Sequence, residues 1–341
     1  MLRIAINGYG RIGRAVLRAI FQNGLESRIR VEAINDLGNH ATLAHLTRFD
    51  STYGRYPGSV TLHEDMLQIS GQSIRLLQEA NARLLPWAEL GVDLVLECSG
   101  KLKQREQVEQ HLQAGAPRVL VSHPLESAEL TVVYGVNHQR LGAQRIVSNA
   151  SCTTNCLAPL AMVLHHAVGI RQGLINTVHA YTNDQNLLDQ THGDLYRARA
   201  AALSIIPTHT GAAKTIGLVL PELAGRLDGL ALRVPTPTVS LLDLTFSAER
   251  AVTRGEINAV LESAARQLPA GVMECNALPL VSGDFSGHPA SCVVDLTQTR
   301  VQGDLVKVLA WYDNEWAFAL RMLDVALHWQ TVAAAEADGT G

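Results

Sequence analysis

The spacing of apolar and polar positions changes character along the chain, and the changes divide it. Residues 2–7 form a short, buried-looking run, followed by a glycine turn and a segment through Ile20 and Phe21 with apolar positions at helical spacing, closed by Asn23-Gly24. Residues 31–34 read as the next strand and stop at Asn35-Asp36. Further strands are expected at 93–98, 118–121, 131–134 and 146–148, with a helix over 104–114 between the first two. Alternating strands and helices predict a parallel sheet with helices on both faces.

Beyond Cys152 the pattern differs. Residues 156–164 are apolar enough for a buried helix, and 173–180, 230–234, 240–246, 290–296 and 305–312 read as longer strands. Several of these alternate polar with apolar side chains, as strands do when one sheet face is covered. Helical patterns near 210–220 and 255–267 are expected to pack on that face, giving a second, largely antiparallel sheet domain. From Trp316 to about Trp329 the spacing is helical again, and this helix is expected to dock back on the first domain. The alanine-rich piece 333–337 reads as a frayed end.

Gly8, Gly10 and Gly13 have the spacing G-x-G-x-x-G between a strand and a helix. The first glycine permits a tight turn, the second lets backbone approach a pyrophosphate, and the third lets helix pack on strand. Asp36, at the end of the second strand, is placed to bond an adenosine ribose diol and to repel a 2'-phosphate, which favours NAD over NADP. An ordinary glycine loop, with Asp36 as a turn former beside Asn35, is the plain alternative. The fold expected is α/β: a Rossmann-type parallel-sheet domain from residues 1–151 and 315–341, and an α+β catalytic domain with a largely antiparallel sheet from residues 152–314.

With 341 residues and 47% apolar content the chain is long enough for two domains. A net charge of -4 argues against wholesale wrapping of nucleic acid or of an anionic membrane surface. The five cysteines, Cys98, Cys152, Cys156, Cys275 and Cys292, are too scattered for a disulfide framework, and no Cys and His spacing resembles a zinc site. A reducing cytoplasm and no metal are expected. The chain opens on a strand pattern without a signal core, and no apolar run reaches the roughly 18 residues of a spanning helix, so a soluble, unexported protein is expected.

Ser148-Asn149-Ala150-Ser151-Cys152-Thr153-Thr154-Asn155-Cys156 is the chemically loaded stretch. Ser151, Thr153, Thr154 and Asn155 are good caps and poor helix interiors, which places Cys152 in the first turn of the apolar helix, where positive potential favours a thiolate. Cys156 falls one turn deeper on the same face and reads as packing; a structural cysteine couple or a metal site is the bland reading of the pair. His179 ends a strand pattern and precedes the polar stretch 181–194. When charged, it would raise the thiolate population of a nearby cysteine and afterwards shuttle a proton. His165 and His166, placed in mid-helix, and His209, beside a turn, are its rivals among 13 histidines. Thr208 to Lys214 looks like a helix start, Arg233 ends a strand, and Arg197 and Arg199 follow the polar loop. Together these donors suggest an anionic substrate.

N-G-Y-G-R-I-G-R, S-N-A-S-C-T-T-N-C, H-A-Y-T-N-D-Q, T-G-A-A-K, L-R-V-P-T-P and W-Y-D-N-E-W occur in that order over nearly the whole chain, which resembles phosphorylating glyceraldehyde-3-phosphate dehydrogenases. The resemblance implies that Cys152 attacks the aldehyde of glyceraldehyde 3-phosphate, that His179 takes the hydroxyl proton, and that a thioester on Cys152 passes to inorganic phosphate as 1,3-bisphosphoglycerate. It assigns Thr182 and Arg233 to the substrate phosphate, Ser151, Thr153, Thr210, Gly211 and the shared Arg233 to the attacking phosphate, and Arg197 to support of the anion pocket. Arg11, Ile12, Asp36, Ser122 and Asn314 would touch NAD, and a homotetramer is implied.

Some residues depart from the family pattern. Gly193 and Tyr196 stand where lysine and arginine are common, and Ser122-His123-Pro124 replaces Ser-Ala-Pro at the edge of the cofactor site. Asn314 to Phe318 and Thr297 to Arg300 resemble erythrose-4-phosphate dehydrogenases, which favour hydrolysis of the thioester to 4-phosphoerythronate; Thr182 and residues 210–214 favour the triose reading. Two other classes stay open: an RNA-binding protein, against which the intact Cys152 and His179 pair counts, and a non-phosphorylating aldehyde dehydrogenase, for which no residue is assigned as base for the deacylating water.

Overall fold

The computed structural model describes residues 1–337, and they cluster into two compact units. Of the described residues, the first comprises Met1–Val132, His138–Ala150 and 319–337; the second comprises Val133–Asn137 and Ser151–Phe318.

The first unit is built on strands β1 (Leu2–Asn7), β2 (Ile29–Asn35), β5 (Val60–His63), β6 (Met66–Ile69), β7 (Gln72–Leu77), β8 (Leu94–Glu97), β9 (Val119–Val121), β10 (Leu130–Thr131) and β11 (Ile146–Ser148), with a small ladder of β3 (Phe49–Asp50) and β4 (Gly54–Arg55) apart from them. The nine strands of the large sheet run in the order β10-β11-β9-β8-β1-β2-β7-β6-β5. Pairing is parallel from β10 to β7, and two antiparallel steps add β6 and β5 at the edge. Helices α1 (Arg11–Gln22), α2 (His40–Arg48) and α3 (Arg105–Gln113) complete it.

The central strands are buried on both faces, as expected when helices cover both sides. Ala5, Ala33, Val95, Val119 and Ile146 face one core together with Trp87 and Val108 of α3. On the other face, a Cβ at Gly13 of α1 would come within 3.2 Å of Ile6 Cγ2, so α1 lies directly on the strand. The parallel core agrees with the sequence pattern. Residues 37–92 carried no expectation, and they supply α2, capped by Asn39, and the β5 to β7 extension. The strand expected at 131–134 shrinks to Leu130–Thr131, because Val133–Asn137 belongs to the second unit.

The second unit contains α4 (Cys152–Val168), β12 (Gln172–Ala180), β13 (Ile206–His209), α5 (Ala212–Val219), β14 (Leu227–Val234), β15 (Ser240–Ser247), α6 (Arg254–Gln267), β16 (Met273–Asn276), β17 (Cys292–Asp295), β18 (Arg300–Gln302) and β19 (Leu305–Tyr312). Its sheet runs β13-β14-β12-β15-β19-β17-β16, with β18 on β19. Five ladders are antiparallel; β12 with β14 and β16 with β17 are parallel. The strict alternation of buried and half-buried residues along β15 marks a sheet with one face packed, against α4, α5 and α6.

Helix α7 (Trp316–Ala337) closes the described chain. From Ala319 onward it belongs to the first unit, where Arg118 lies over the Trp329 ring and donates to the Trp329 carbonyl. Residues 333–337, expected to fray, continue this helix. His165 and His166, expected in mid-helix, occupy the last turn of α4; His165 Nδ1 accepts from the Ile170 amide at 3.0 Å and so serves the helix end. No helix among the described residues is long and apolar enough to cross a membrane.

Candidate active site

Ser151 is the N-cap of α4, its Oγ accepting the Thr154 amide at 3.0 Å, and Cys152 is therefore the first residue of the helix. Immediately before the cap, Ala150 takes a left-handed φ of 56°, a conformation an alanine seldom adopts and one the sequence gives no sign of. Cys152 is half-buried, and its Sγ stands 3.5 Å from His179 Nε2. Cys156, a turn further in, is fully buried, and burial pushes its thiol well up.

His179 reaches this position because β12 carries it one residue before its end. The parallel ladder with β14 makes Arg233 its register partner, so two residues from distant sequence stand side by side near the ends of neighbouring strands. His179 Nδ1 lies between an acceptor, the Ala180 carbonyl at 2.6 Å, and a donor, the Arg233 guanidinium, while Nε2 faces the sulfur. Arg233 Nη1 approaches Nδ1 at 2.8 Å and donates to the same carbonyl at 3.1 Å.

These contacts correct the sequence reading in one respect. A charged His179 was expected to activate the thiol. Burial, and then the Arg233 guanidinium, instead pull the His179 pKa down to about 3, so the ring is neutral. The Cys152 thiol stands above its ordinary value because burial outweighs the opposing pull of Arg233 and of hydrogen bonding from Thr153. The resting pair is thus thiol and neutral imidazole, and the cation beside it is Arg233.

The anion-binding candidates gather on the same unit. Arg233 Nε is buried with no hydrogen-bond partner among the described residues, a donor left over for a ligand. Arg197 is near enough to Arg233 and His179 to depress the pKa of each. Its Nε donates to Thr208 Oγ1 at 3.1 Å, and its Nη1 pairs with Asp184. Thr182 is half-buried in the loop that follows β12, Thr210 Oγ accepts the Ala212 amide at 3.3 Å, and Gly211 caps α5 without a side chain. Thr153 is buried, and its hydroxyl is engaged with Tyr312 at 2.9 Å.

Two residues escaped the sequence reading. Tyr312 bridges Thr153 and Thr177, at 2.9 and 2.7 Å, and meets the His179 ring edge-on at 6.1 Å between centroids. Ser240, opposite Tyr312 in the β15 to β19 ladder, accepts the Ala180 amide at 3.1 Å and donates to Asn314 Oδ1 at 3.2 Å. The preceding Val239 has a φ of 64°, a genuine outlier for a β-branched residue. Tyr312 stood only inside a recognised motif; nothing in the composition around Ser240 distinguishes it from an ordinary strand serine.

In the first unit, the loop after β1 fits a dinucleotide. Gly8 has a φ of 89°, and a Cβ there would lie 2.3 Å from Ser99 backbone, so only glycine is accommodated. A Cβ at Gly13 would lie 2.3 Å from the Gly8 carbonyl. Gly10 faces open space and caps α1 with no side-chain acceptor, and a helix start of this kind suits an anion such as a diphosphate. The Arg11 guanidinium itself pairs with Asp50. Asp36 accepts the Tyr9 and Gly38 amides at 2.7 and 2.8 Å, which fixes its carboxylate at the end of β2. Ser122 follows β9, its amide bonded to the Glu97 carbonyl at 3.0 Å.

The family models agree with this division. Residues 2–105 match the glyceraldehyde 3-phosphate dehydrogenase NAD-binding domain, and residues 151–314 match the C-terminal domain of the same enzymes. Fold and matches define an NAD-dependent dehydrogenase. At the level of single proteins, the chain is 54% identical to the chromosomal glyceraldehyde-3-phosphate dehydrogenase of Cupriavidus necator over 96% of this chain and 98% of that one. It is 55% identical to the enzyme of Xanthobacter flavus over the same shares, and 47% identical to that of Geobacillus stearothermophilus over 96% of this chain and 98% of the relative. The chain belongs to the glyceraldehyde-3-phosphate dehydrogenase family.

Proposed function

We propose that this protein oxidises D-glyceraldehyde 3-phosphate to 1,3-bisphosphoglycerate, with Cys152 as nucleophile and inorganic phosphate as final acceptor. The observation that carries the reading is the line Cys152 Sγ, His179 Nε2, His179 Nδ1, Arg233 Nη1, with contacts of 3.5 and 2.8 Å at its two ends.

The buried, unpartnered Nε of Arg233 takes an oxygen of the substrate phosphate, with Thr182 beside it and Arg197 reinforcing the positive field. Once an anion lies on Arg233, the cation no longer opposes protonation of His179. The proton of Cys152 Sγ then passes to Nε2, and the helix N-terminus and the new imidazolium stabilise the thiolate. The thiolate adds to the aldehyde carbon, His179 Nε2 gives its proton to the resulting oxyanion, and the same nitrogen takes that hydroxyl proton back as the carbon gives up hydride and the thioester forms. NAD, when bound, supplies the hydride acceptor; the family resemblance assigns Gly8, Gly10, Gly13, Arg11, Ile12, Asp36, Ser122 and Asn314 to holding it. A phosphate held by Ser151, Thr153, Thr210 and Gly211, with Arg233 shared, attacks the thioester carbonyl and frees Cys152 as product leaves.

Cys152 and His179 as the reacting pair, a homotetramer and a cytoplasmic setting in sugar-phosphate metabolism complete the reading, as the family resemblance implies. NADH formation from the three-carbon and the four-carbon phosphorylated aldehydes, each with and without inorganic phosphate, tests it. Faster, phosphate-dependent oxidation of the triose is expected. Phosphate-independent oxidation of the four-carbon aldehyde would instead assign an erythrose-4-phosphate dehydrogenase.

A further inference from the structure

A polar network lies wholly inside the first unit, at the C-terminal ends of β1, β2 and β8. Glu97, His111 and Trp87 have no exposed surface, and Asn7 and Asn35 are buried as well. Glu97 Oε2 contacts Asn7 Nδ2 at 2.6 Å and His111 Nε2 at 3.0 Å. Glu97 Oε1 accepts the Ser99 amide at 2.8 Å and the Ser99 hydroxyl. Trp87 Nε1 lies 3.0 Å from His111 Nδ1.

The direction of each bond follows from groups that have no choice. An indole nitrogen only donates, so His111 Nδ1 accepts and Nε2 carries the proton, which goes to Glu97. At the other end, the Glu79 amide donates to Asn35 Oδ1 at 2.9 Å, so Asn35 Nδ2 faces Asn7 Oδ1 at 2.7 Å, and Asn7 Nδ2 must face Glu97. Four donors therefore converge on one carboxylate, and none of its partners is an acceptor. Glu97 is an anion: burial pushes its pKa up, but the bonds from His111, Ser99 and Asn7 outweigh burial and hold it below the ordinary value.

The anchored residues sit at the roots of three loops. Asn7 precedes Gly8, whose amide bonds the Asn35 carbonyl at 2.8 Å; Asn35 precedes Asp36; and Ser99 is the residue whose backbone a Cβ at Gly8 would strike. Ligands of doubly wound sheets bind outside these strand ends. We infer that Glu97 is a positioning residue for NAD: by accepting from Asn7, Ser99 and His111 it fixes the glycine loop, the Asp36 turn and the Ser99 turn in the spacing that the adenosine diphosphate half requires. The inference rests on the reading that those loops hold NAD. A glutamine at 97 would turn an NH2 toward two of the four donors, so the charge is needed as well as the shape.

Calorimetric titration of NAD and of ADP-ribose into the full-length protein, with thermal melts and steady-state kinetics, tests it. Glu97→Gln is expected to weaken NAD and ADP-ribose by the same factor, about tenfold, as for loss of one to two buried hydrogen bonds. KM for NAD should rise in parallel, whereas kcat at saturating NAD and KM for aldehyde change less than about twofold. His111→Gln keeps a donor toward Glu97 and should stay within about threefold of the parent, whereas His111→Phe should match Glu97→Gln. If Glu97→Gln does not fold, the His111 pair carries the comparison. Affinities within about twofold of the parent in both Glu97→Gln and His111→Phe, with only the melting temperature lowered, would reduce the network to a structural brace and overturn the inference. A parent that binds NAD but oxidises no phosphorylated aldehyde would sink the proposed reaction and leave this comparison intact.

Discussion

Arg233 Nη1 lies 2.8 Å from His179 Nδ1, and the cation rather than the imidazole supplies the positive charge beside Cys152. The relationship follows from a register: in the parallel β12 to β14 ladder, His179 and Arg233 are paired residues. In the proposed reaction this neutral ring, its Nε2 toward sulfur, is the base, and an anion on Arg233 is what releases it.

Replacing Arg233 by glutamine should therefore raise the His179 pKa from about 3, while burial still holds it under the ordinary value of about 6.5. Imidazole NMR titration follows the shift directly. KM for the phosphorylated aldehyde should rise at least about tenfold, as for loss of a charge-assisted contact. An unmoved His179 titration would remove Arg233 from this role.

The same depressed pKa fixes the sign of a stability effect. The unfolded chain protonates His179 near pH 6.5 and the folded protein only near 3, so its contribution is fully present above about pH 6.5 and is lost as pH falls from there toward 3. Urea unfolding at a series of pH values should show stability declining over this window. His179→Gln should flatten that part of the slope; an unchanged slope would contradict the burial of a neutral ring.

Ser240→Ala removes both the acceptor of the Ala180 amide and the donor to Asn314 Oδ1. Its cost in stability should be about 1–3 kcal/mol, the range for buried groups left unpaired, with kcat falling about tenfold as Ala180, next to His179, and Asn314 lose their common anchor. Chemical denaturation and steady-state rates measure the two effects, and a variant with parental kcat would take Ser240 out of the catalytic geometry.

If Asp36 meets the ribose diol as proposed, Asp36→Ala should weaken NAD and raise tolerance of NADP, because the carboxylate that would repel a 2'-phosphate is gone. Titration with both nucleotides is the check. A preserved preference would place discrimination elsewhere.

The repeated strand and helix alternation made the parallel core legible, and the apolar run of α4 together with the hydroxyl residues before it located Cys152 at a helix start. What the sequence withheld is mostly what depends on register and burial. Linear spacing does not reveal that Arg233 stands beside His179, that burial and this guanidinium keep the ring neutral, or that Ser240 ties Ala180 to Asn314. The strand expected at 131–134 was overextended because Val132, Val133 and Tyr134 suit a strand locally, whereas the chain leaves the sheet after Thr131. The alanines at the end read as frayed, yet alanine has the highest helix propensity and simply extends α7.

The most direct test of Cys152 as the acyl carrier is a rapid-mixing experiment with enzyme, NAD and glyceraldehyde 3-phosphate in phosphate-free buffer. One NADH per subunit should form as a burst and then stall as the thioester accumulates, added phosphate should restart turnover, and Cys152→Ser should show neither phase. Sustained NADH formation without phosphate, or a burst retained in Cys152→Ser, would contradict the account.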